Sequence, residues 1–367
     1  MAEGQVTATS LNLRDAPNGA VIGLLRKGDR VTVLDAKDGW ISVSAAVDGA
    51  TKLGWANAKF IDTTLGAAAP RPADDDDAPV RVVSGKAIGP DGRAFASVHG
   101  KGFFTLGLTT LDSWLAANSA NLNLAPSLIR VVRAVSRNEG RLEAVNSYDN
   151  SFLSFGLFQW TAGAQDQPGE LAGFLSLIER NDAAVFQGHF GRHGLGVAMQ
   201  SDGKTGFLTL AGAALRKPED KEILRSAEWA YRFWQAGQDE VVRRCELELA
   251  AGRVAQFLRL AVAGRTLRDW LSSEYGVALL LDEHVNRPGH VPGTLKHAID
   301  ALPAGVDPTR WDDRGEPDLI SRYLVAREAT NMTDPAKRAI SIGDCVRAGT
   351  LSDKRSSFAA TAAPPSV

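Results

Sequence analysis

Between Leu65 and Pro79 the chain reads Leu-Gly-Ala-Ala-Ala-Pro-Arg-Pro-Ala-Asp-Asp-Asp-Asp-Ala-Pro. Small side chains there cannot bury much surface, proline removes backbone donors, and four adjacent carboxylates repel one another. The composition predicts an extended spacer over 65–80. A single core running from end to end is therefore excluded, and the chain must fold as separate parts on either side. Its 367 residues also exceed the ~100–200 of a typical domain. The Asp run lacks the alternating ligands and the glycine of a calcium loop, so it reads as solvated charge.

The part before the spacer is built of short alternating runs. Val-Thr-Ala-Thr, Val-Ile-Gly-Leu-Leu, Arg-Val-Thr-Val-Leu and Trp-Ile-Ser-Val are separated by turn formers over residues 5–63. Its landmarks are Leu11-Asn12-Leu13-Arg14-Asp15-Ala16-Pro17, Lys27-Gly28-Asp29, Asp38-Gly39-Trp40 and Gly54-Trp55. These landmarks and their order resemble the bacterial SH3 (SH3b) domain, which implies a small all-β SH3-like barrel over residues 1–64. The resemblance also implies binding to a wall peptide or another wall polymer. Trp40 and Trp55 either fill the barrel core or face a ligand. Seven Lys and Arg balance seven Asp and Glu in residues 1–64, so bulk charge would not hold this module to a wall.

After the spacer, short Gly-rich segments from Arg81 to Thr105 suggest a small strand-bearing lead-in. Helical periodicity then dominates, over Leu111–Ala117, Pro126–Asn138, Gly169–Arg180, Lys221–Gln235, Gln238–Ala251, Val254–Ala263, Thr266–Tyr275 and Glu316–Ala329. In the second of these, Leu128, Val132, Val135 and Glu139 recur at spacings of four, three and four. That sets the Glu139 carboxyl on the face of the core aliphatics, where partial desolvation raises its pKa and makes it a proton donor near neutral pH. A helix C-terminus disfavours negative charge by about 0.3–1 kcal/mol, so a plain solvated carboxylate is not the residue this position favours.

Turn formers cluster at Asn146, Ser147, Asp149, Asn150 and Ser151, and then comes Ser154-Phe155-Gly156-Leu157-Phe158-Gln159-Trp160. A helix-terminal Glu followed by an irregular hairpin and a Gly-Leu-x-Gln turn resembles the lysozyme-like superfamily, with goose-type lysozymes and lytic transglycosylases nearest. Gly140 stands where that pattern usually has Ser, Phe158 where it has Met, and Ser154 lies two residues before Gly156 rather than three. The resemblance covers about 25 residues closely. It implies a mainly α lysozyme-like domain with a short β-hairpin over 81–358, followed by a disordered tail over 359–367.

The resemblance also implies that the β-1,4 bond between N-acetylmuramic acid and N-acetylglucosamine is cut, with Glu139 as general acid/base. Ser154, Gly156, Leu157 and Gln159 would line the glycan cleft, and Trp160 would either stack on a pyranose or pack in the core. Phe152, Phe155 and Phe158 read as core. Asp149 is the candidate second carboxylate, or else a turn residue bonding its own backbone. A carboxyl separation of about 5–5.5 Å marks a retaining enzyme and about 6.5–9.5 Å an inverting one. If Asp149 only caps its turn, the single Glu suits a lytic transglycosylase, which uses a hydroxyl of the substrate in place of water. Glu143 is a third carboxylate, expected in a more solvated place. Asn286 and Arg287, after the apolar stretch Val277–Leu280, either face the cleft or belong to a capping and ion-pair cluster. A chitinase- or chitosanase-like hydrolase and a non-catalytic wall-binding protein remain the other readings.

Several classes are excluded by composition. A net charge of −2 argues against nucleic acid as the main partner. Two distant cysteines, Cys245 and Cys345, make neither a disulfide framework nor a structural zinc site. His189 and His193 are four apart but lie among glycines, so no metal and no cofactor is expected. No run of about 18 apolar residues could span a membrane. The opening Met-Ala-Glu-Gly-Gln-Val lacks signal-peptide character, which predicts synthesis in the cytoplasm and action at the wall after release or delivery. A phage endolysin fits that, and so does an effector injected into rival bacteria, whose partner would include an immunity protein.

Overall fold

The computed structural model describes residues 3–37, 39–47, 50–62, 79–118, 122 and 124–360. Most of the expected spacer (65–78) and of the expected tail (361–367) lies outside them. The chain divides into two compact units, Met1–Ala78 and Pro79–Val367.

The first unit is all β. Its strands are β1 (Glu3–Val6), β2 (Ser10–Arg14), β3 (Val21–Arg26), β4 (Arg30–Lys37), β5 (Trp40–Val47), β6 (Ala50–Asn57) and β7 (Ile61–Asp62). They form one sheet in the order β3-β2-β6-β5-β4-β1-β7. Ile41, Val43, Ala45 and Val47 point inward from β5 and join Leu11, Leu13, Leu25 and Val31 in the core, as the period of two demands. Trp40 and Trp55 sit on the opposite parity, both half-buried and outside that core. They are diagonal neighbours, since Trp40 pairs with Asn57 and Ser42 with Trp55. Gly54 is required by close packing, because a Cβ there would lie 2.6 Å from the Arg14 carbonyl oxygen.

The second unit is mainly helical around a second seven-stranded sheet. In chain order it holds β8 (Arg81–Val83), β9 (Lys86–Ile88), β10 (Ala94–His99), β11 (Gly102–Thr105), α1 (Leu111–Asn118), α2 (Pro126–Ser136), β12 (Val145–Asn146), β13 (Ser154–Phe155), β14 (Trp160–Thr161), α3 (Glu170–Asn181) and α4 (Ala183–His189). It continues through β15 (Leu195–Met199), β16 (Gly206–Leu210), β17 (Ala213–Ala214), α5 (Pro218–Lys221), α6 (Ala227–Ala236), α7 (Glu240–Phe257), β18 (Ala261–Val262), β19 (Arg265–Thr266) and α8 (Leu267–Trp270). The last helices are α9 (Glu274–Asn286), α10 (Val291–Asp300), α11 (Gly315–Glu328) and α12 (Pro335–Arg347). The lead-in strands and the irregular hairpin are one sheet, ordered β14-β13-β12-β11-β10-β9-β8. The join is β11 to β12, where Phe104 pairs with Asn146 and Thr105 with Val145.

Helix α9 is the spine of the unit. Val277, Ala278, Leu279, Leu280 and Leu281 are all fully buried, so the helix is apolar on every side and must be surrounded. Its start is fixed by Ser273, whose hydroxyl accepts from the Gly276 N–H. Helix α2 buries Leu128, Val131, Val132 and Val135. Among the described residues no helix is long and apolar enough to cross a membrane.

Candidate active site

Helix α2 stops at Ser136, and Glu139 lies three residues beyond it in a turn closed by Asn138 N–H to Val135 O (2.9 Å). Its side chain is 14% exposed and forms an ion pair with Arg338 of α12. Burial pushes the Glu139 carboxyl above the usual carboxylate range. The positive charges of Arg338 and Arg253 oppose that shift, and the negative charge of Asp282 adds to it.

Arg338 reaches Glu139 and Asp282 together. Its Nη2 is 2.7 Å from Asp282 Oδ1, and its Nε donates to the same carboxylate at 3.1 Å. Asp282 is fully buried, and it also accepts from Asn138 Nδ2 (3.0 Å) and from the buried Arg327. Two guanidinium groups on one carboxylate make that buried charge tolerable. They also leave Asp282 no access to water. The outcome is a short relay, Arg327–Asp282–Arg338–Glu139, running from two fully buried members to two that keep some exposure. Asn286 stands one turn beyond Asp282 on the same face of α9, half-buried. Arg287 belongs to another cluster. It lies 3.9 Å from Glu283, whose carboxylate accepts from Thr294 and Tyr323. This is the ion-pair reading rather than the cleft one. Between them, His284 stacks on Phe257 at 5.0 Å, and burial lowers its pKa to about 4.

The Gly156–Gln159 turn lies directly beside Gly140. A Cβ on Gly140 would come 3.0 Å from the Gly156 carbonyl oxygen, 3.2 Å from Gln159 Nε2 and 2.8 Å from the Ala144 Cβ. That crowding accounts for glycine where the resembled pattern has serine. Gly156 adopts φ +76° and Gln159 φ +51°, and a left-handed glutamine costs energy that the surroundings must supply. Gln159 donates through Nε2 to Gly156 O (2.9 Å), tying the turn to itself. Underneath, Glu246 of α7 accepts from the Leu157 N–H at 2.6 Å. Its carboxyl is fully buried, its Oε1 has no hydrogen-bond partner among the described residues, and burial raises its pKa far above the usual range.

Other expected site residues fall elsewhere. Asp149 caps its own turn, with Oδ2 accepting from Asn146 (2.8 Å) and Oδ1 from the Ser151 N–H (2.8 Å). It is not among the main charges acting on Glu139. Trp160 is 1% exposed and stacks on Phe174 at 5.0 Å, so its ring faces are not offered to a sugar. Ser154 and Leu157 are buried as well. The expectation of a solvated Glu143 is corrected: it is 2% exposed, accepts from the Leu108 and Thr109 N–H groups, and pairs with Arg243 at 2.7 Å. It staples the approach to α1 onto α7. His189 closes α4 and lies 3.3 Å from Asp239.

Two cations brace the hairpin. Lys221, 1% exposed, donates to the carbonyls of Gly163 (2.8 Å), Gln165 (2.9 Å) and Gln167 (2.7 Å). Arg225 donates to the Ser147 carbonyl (2.7 Å), with its guanidinium 4.6 Å from the Phe152 ring centroid. Sequence reading missed both, along with Arg338, Asp282 and Glu246. The available signal was a charged residue set in an apolar run, as Asp282 is after Val277–Leu281; such a residue requires a buried partner.

Residues 9–62 match the family described as Bacterial SH3 domain, which places β2 to β7 within it. No curated protein matches the chain.

Proposed function

We propose that this chain is a peptidoglycan-cleaving glycosidase of muramidase type, with the SH3b unit holding it to the wall. The observation that carries the reading is Glu139, a carboxyl lifted by burial next to a strained Gly-Leu-x-Gln turn. Glu139 would give its proton to the oxygen leaving the muramic acid C1 as the glycosidic bond breaks. Arg338 would then stabilise the carboxylate that remains, a charge that develops only as the reaction proceeds. Gln159 and Asn286 are the polar groups best placed to orient the glycan. Linking a wall-binding unit to the cleaving unit raises the local concentration of the second at its substrate, and the exposed parts of Trp40 and Trp55 are the side chains we assign to that grip.

One observation favours the lytic transglycosylase reading over simple hydrolysis. Asp149 is spent on its own turn and Asp282 is sealed from water, so neither is free to activate a water molecule. A hydroxyl of the substrate would then attack the muramic C1, its proton passing to the Glu139 carboxylate, and leave an anhydro end.

The test is loss of turbidity of a peptidoglycan suspension with wild type and Glu139→Gln, and mass spectrometry of the products. Clearance by wild type alone supports Glu139 as the acid, and anhydro or reducing muramic ends separate the two chemistries. Equal clearance by both proteins removes Glu139 from the mechanism. No clearance by either favours a wall-binding protein without glycosidase activity or an enzyme acting on a different glycan.

A further inference from the structure

The sheet that carries the Gly156–Gln159 turn has a second face. On one side Ala87, Phe95, Phe103 and Val145 are buried in the core. On the other, His99, Phe104 and Tyr148 are exposed, Phe104 at 37% and Tyr148 at 40%. Their rings are in mutual contact. His99 and Tyr148 lie 5.0 Å apart at 32°, while Phe104 meets both nearly edge-on, at 6.0 Å and 6.2 Å.

This cluster is built by the register rather than by chance. Phe104 pairs with Ser97 and with Asn146, and His99 with Gly102, so all the outward side chains share one parity. Gly102 pairs with His99 on one side and packs against Ser147 on the other. A Cβ at Gly102 would lie 2.3 Å from the Ser147 carbonyl oxygen, so only glycine lets the chain before Tyr148 pass this close. The same row holds Lys86, whose Nζ donates to Ser97 Oγ (2.7 Å), and the Asn146 amide.

Single exposed apolar side chains are ordinary, but a contiguous cluster of rings marks a contact surface. Its nearest-to-parallel rings are those of His99 and Tyr148, with Phe104 standing on edge against them, and it is interleaved with an ammonium, a phenol, an imidazole and an amide. A pyranose has the complementary form, an apolar C–H face rimmed by hydroxyls. The ammonium suits the carboxylates of a wall strand. Continuity points the same way: from Tyr148 the chain turns at Asp149–Ser151 and returns through β13 to Gly156.

We propose that His99, Phe104 and Tyr148 form a stacking platform for a sugar unit of the glycan, a subsite carried on the same sheet as the candidate active site. The inference rests on the reading of the substrate as a wall glycan. The test is calorimetric titration of the full chain carrying Glu139→Gln, which blocks turnover, with N-acetylglucosamine tetramer and with a soluble muramyl-containing fragment. Adding Phe104→Ala and Tyr148→Ala should weaken binding by about tenfold or more with the melting temperature unchanged. Adding Tyr148→Phe alone, which keeps the ring, should leave most of the affinity. Equal binding by the double-alanine variant overturns the platform and leaves the glycan reading standing. No binding of either sugar by the parent removes both. A change in sedimentation with no change in sugar affinity assigns the face to contact with a second copy and overturns the proposal.

Discussion

Replacing Glu246 with glutamine should stabilise the helical unit at neutral pH and not at acid pH. The wild-type carboxyl is fully buried, with one oxygen on the Leu157 N–H at 2.6 Å and the other without a hydrogen-bond partner among the described residues. Burial raises its folded pKa well above the unfolded value of about 4.3. The folded state therefore binds more protons than the unfolded state above pH ~4.3. The stability this group confers is complete below that pH and is lost as pH rises through the folded pKa. The loss approaches about 1.4 kcal/mol per pH unit across that window. Glutamine keeps a carbonyl oxygen for Leu157 and has no proton to lose. The two proteins should agree within about 1 kcal/mol at pH 4 and separate steadily above it, with glutamine the more stable. Glu246→Leu should instead be less stable at pH 4, by the ~1–3 kcal/mol of an orphaned buried N–H. The assay is urea unfolding followed by helix ellipticity from pH 4 to pH 8. Parallel curves for wild type and Glu246→Gln would refute the reasoning, because they would mean that the carboxyl is ionised in both states.

Lys221→Met should cost about 3 kcal/mol in urea unfolding, since three loop carbonyls lose their shared donor; Lys221→Arg should not restore it, because a planar fork cannot serve that cage. Asp282→Asn should cost about 3–5 kcal/mol by leaving two buried guanidinium groups under-paired, again read from the urea midpoint. As the proposed acid, Glu139 would act only while protonated, so the proposed cleavage should fall on the alkaline side as pH passes its raised folded pKa. Removing the Asp282 charge should shift that limb to lower pH, checked by pH–rate profiles of wild type and Asp282→Asn on a peptidoglycan suspension.

Local signals were legible where the cause was local. The β runs of the first unit, and Phe152, Phe155 and Phe158 as core, follow from period and turn chemistry, whereas the helix expected to run to Asn138 ends at Ser136, so Glu139 sits in a turn rather than on the helix face. Boundaries failed where a cap or a glycine misled. The helix expected over Lys221–Gln235 breaks at Ser226, whose hydroxyl accepts from the Trp229 N–H. The two helices expected around Gly252 are one, α7, and the next break falls after Phe257, where β18 and β19 follow. Helix α9 had no readable start, because a segment apolar on every side has no stripe to mark it. The partners of Glu139 were out of reach for another reason. Arg338 and Asp282 are 56 residues apart, and no spacing rule links them. Asp149 looked suited to catalysis and is a turn cap, a role the same residue type serves equally well.

The link between Glu139 and Arg338 also sets an order in time. The two lie 199 positions apart, and Arg327 and Arg338 both come from the last two helices, α11 and α12. A ribosome adds roughly 5–20 residues per second, so Glu139 leaves it many seconds before its guanidinium exists. Throughout that interval the Glu139 carboxyl is present without the guanidinium that pairs with it. If the proposed cleavage is correct, the chain cannot be armed while it is still being made, and a product truncated before Pro335 would grip a wall without cutting it.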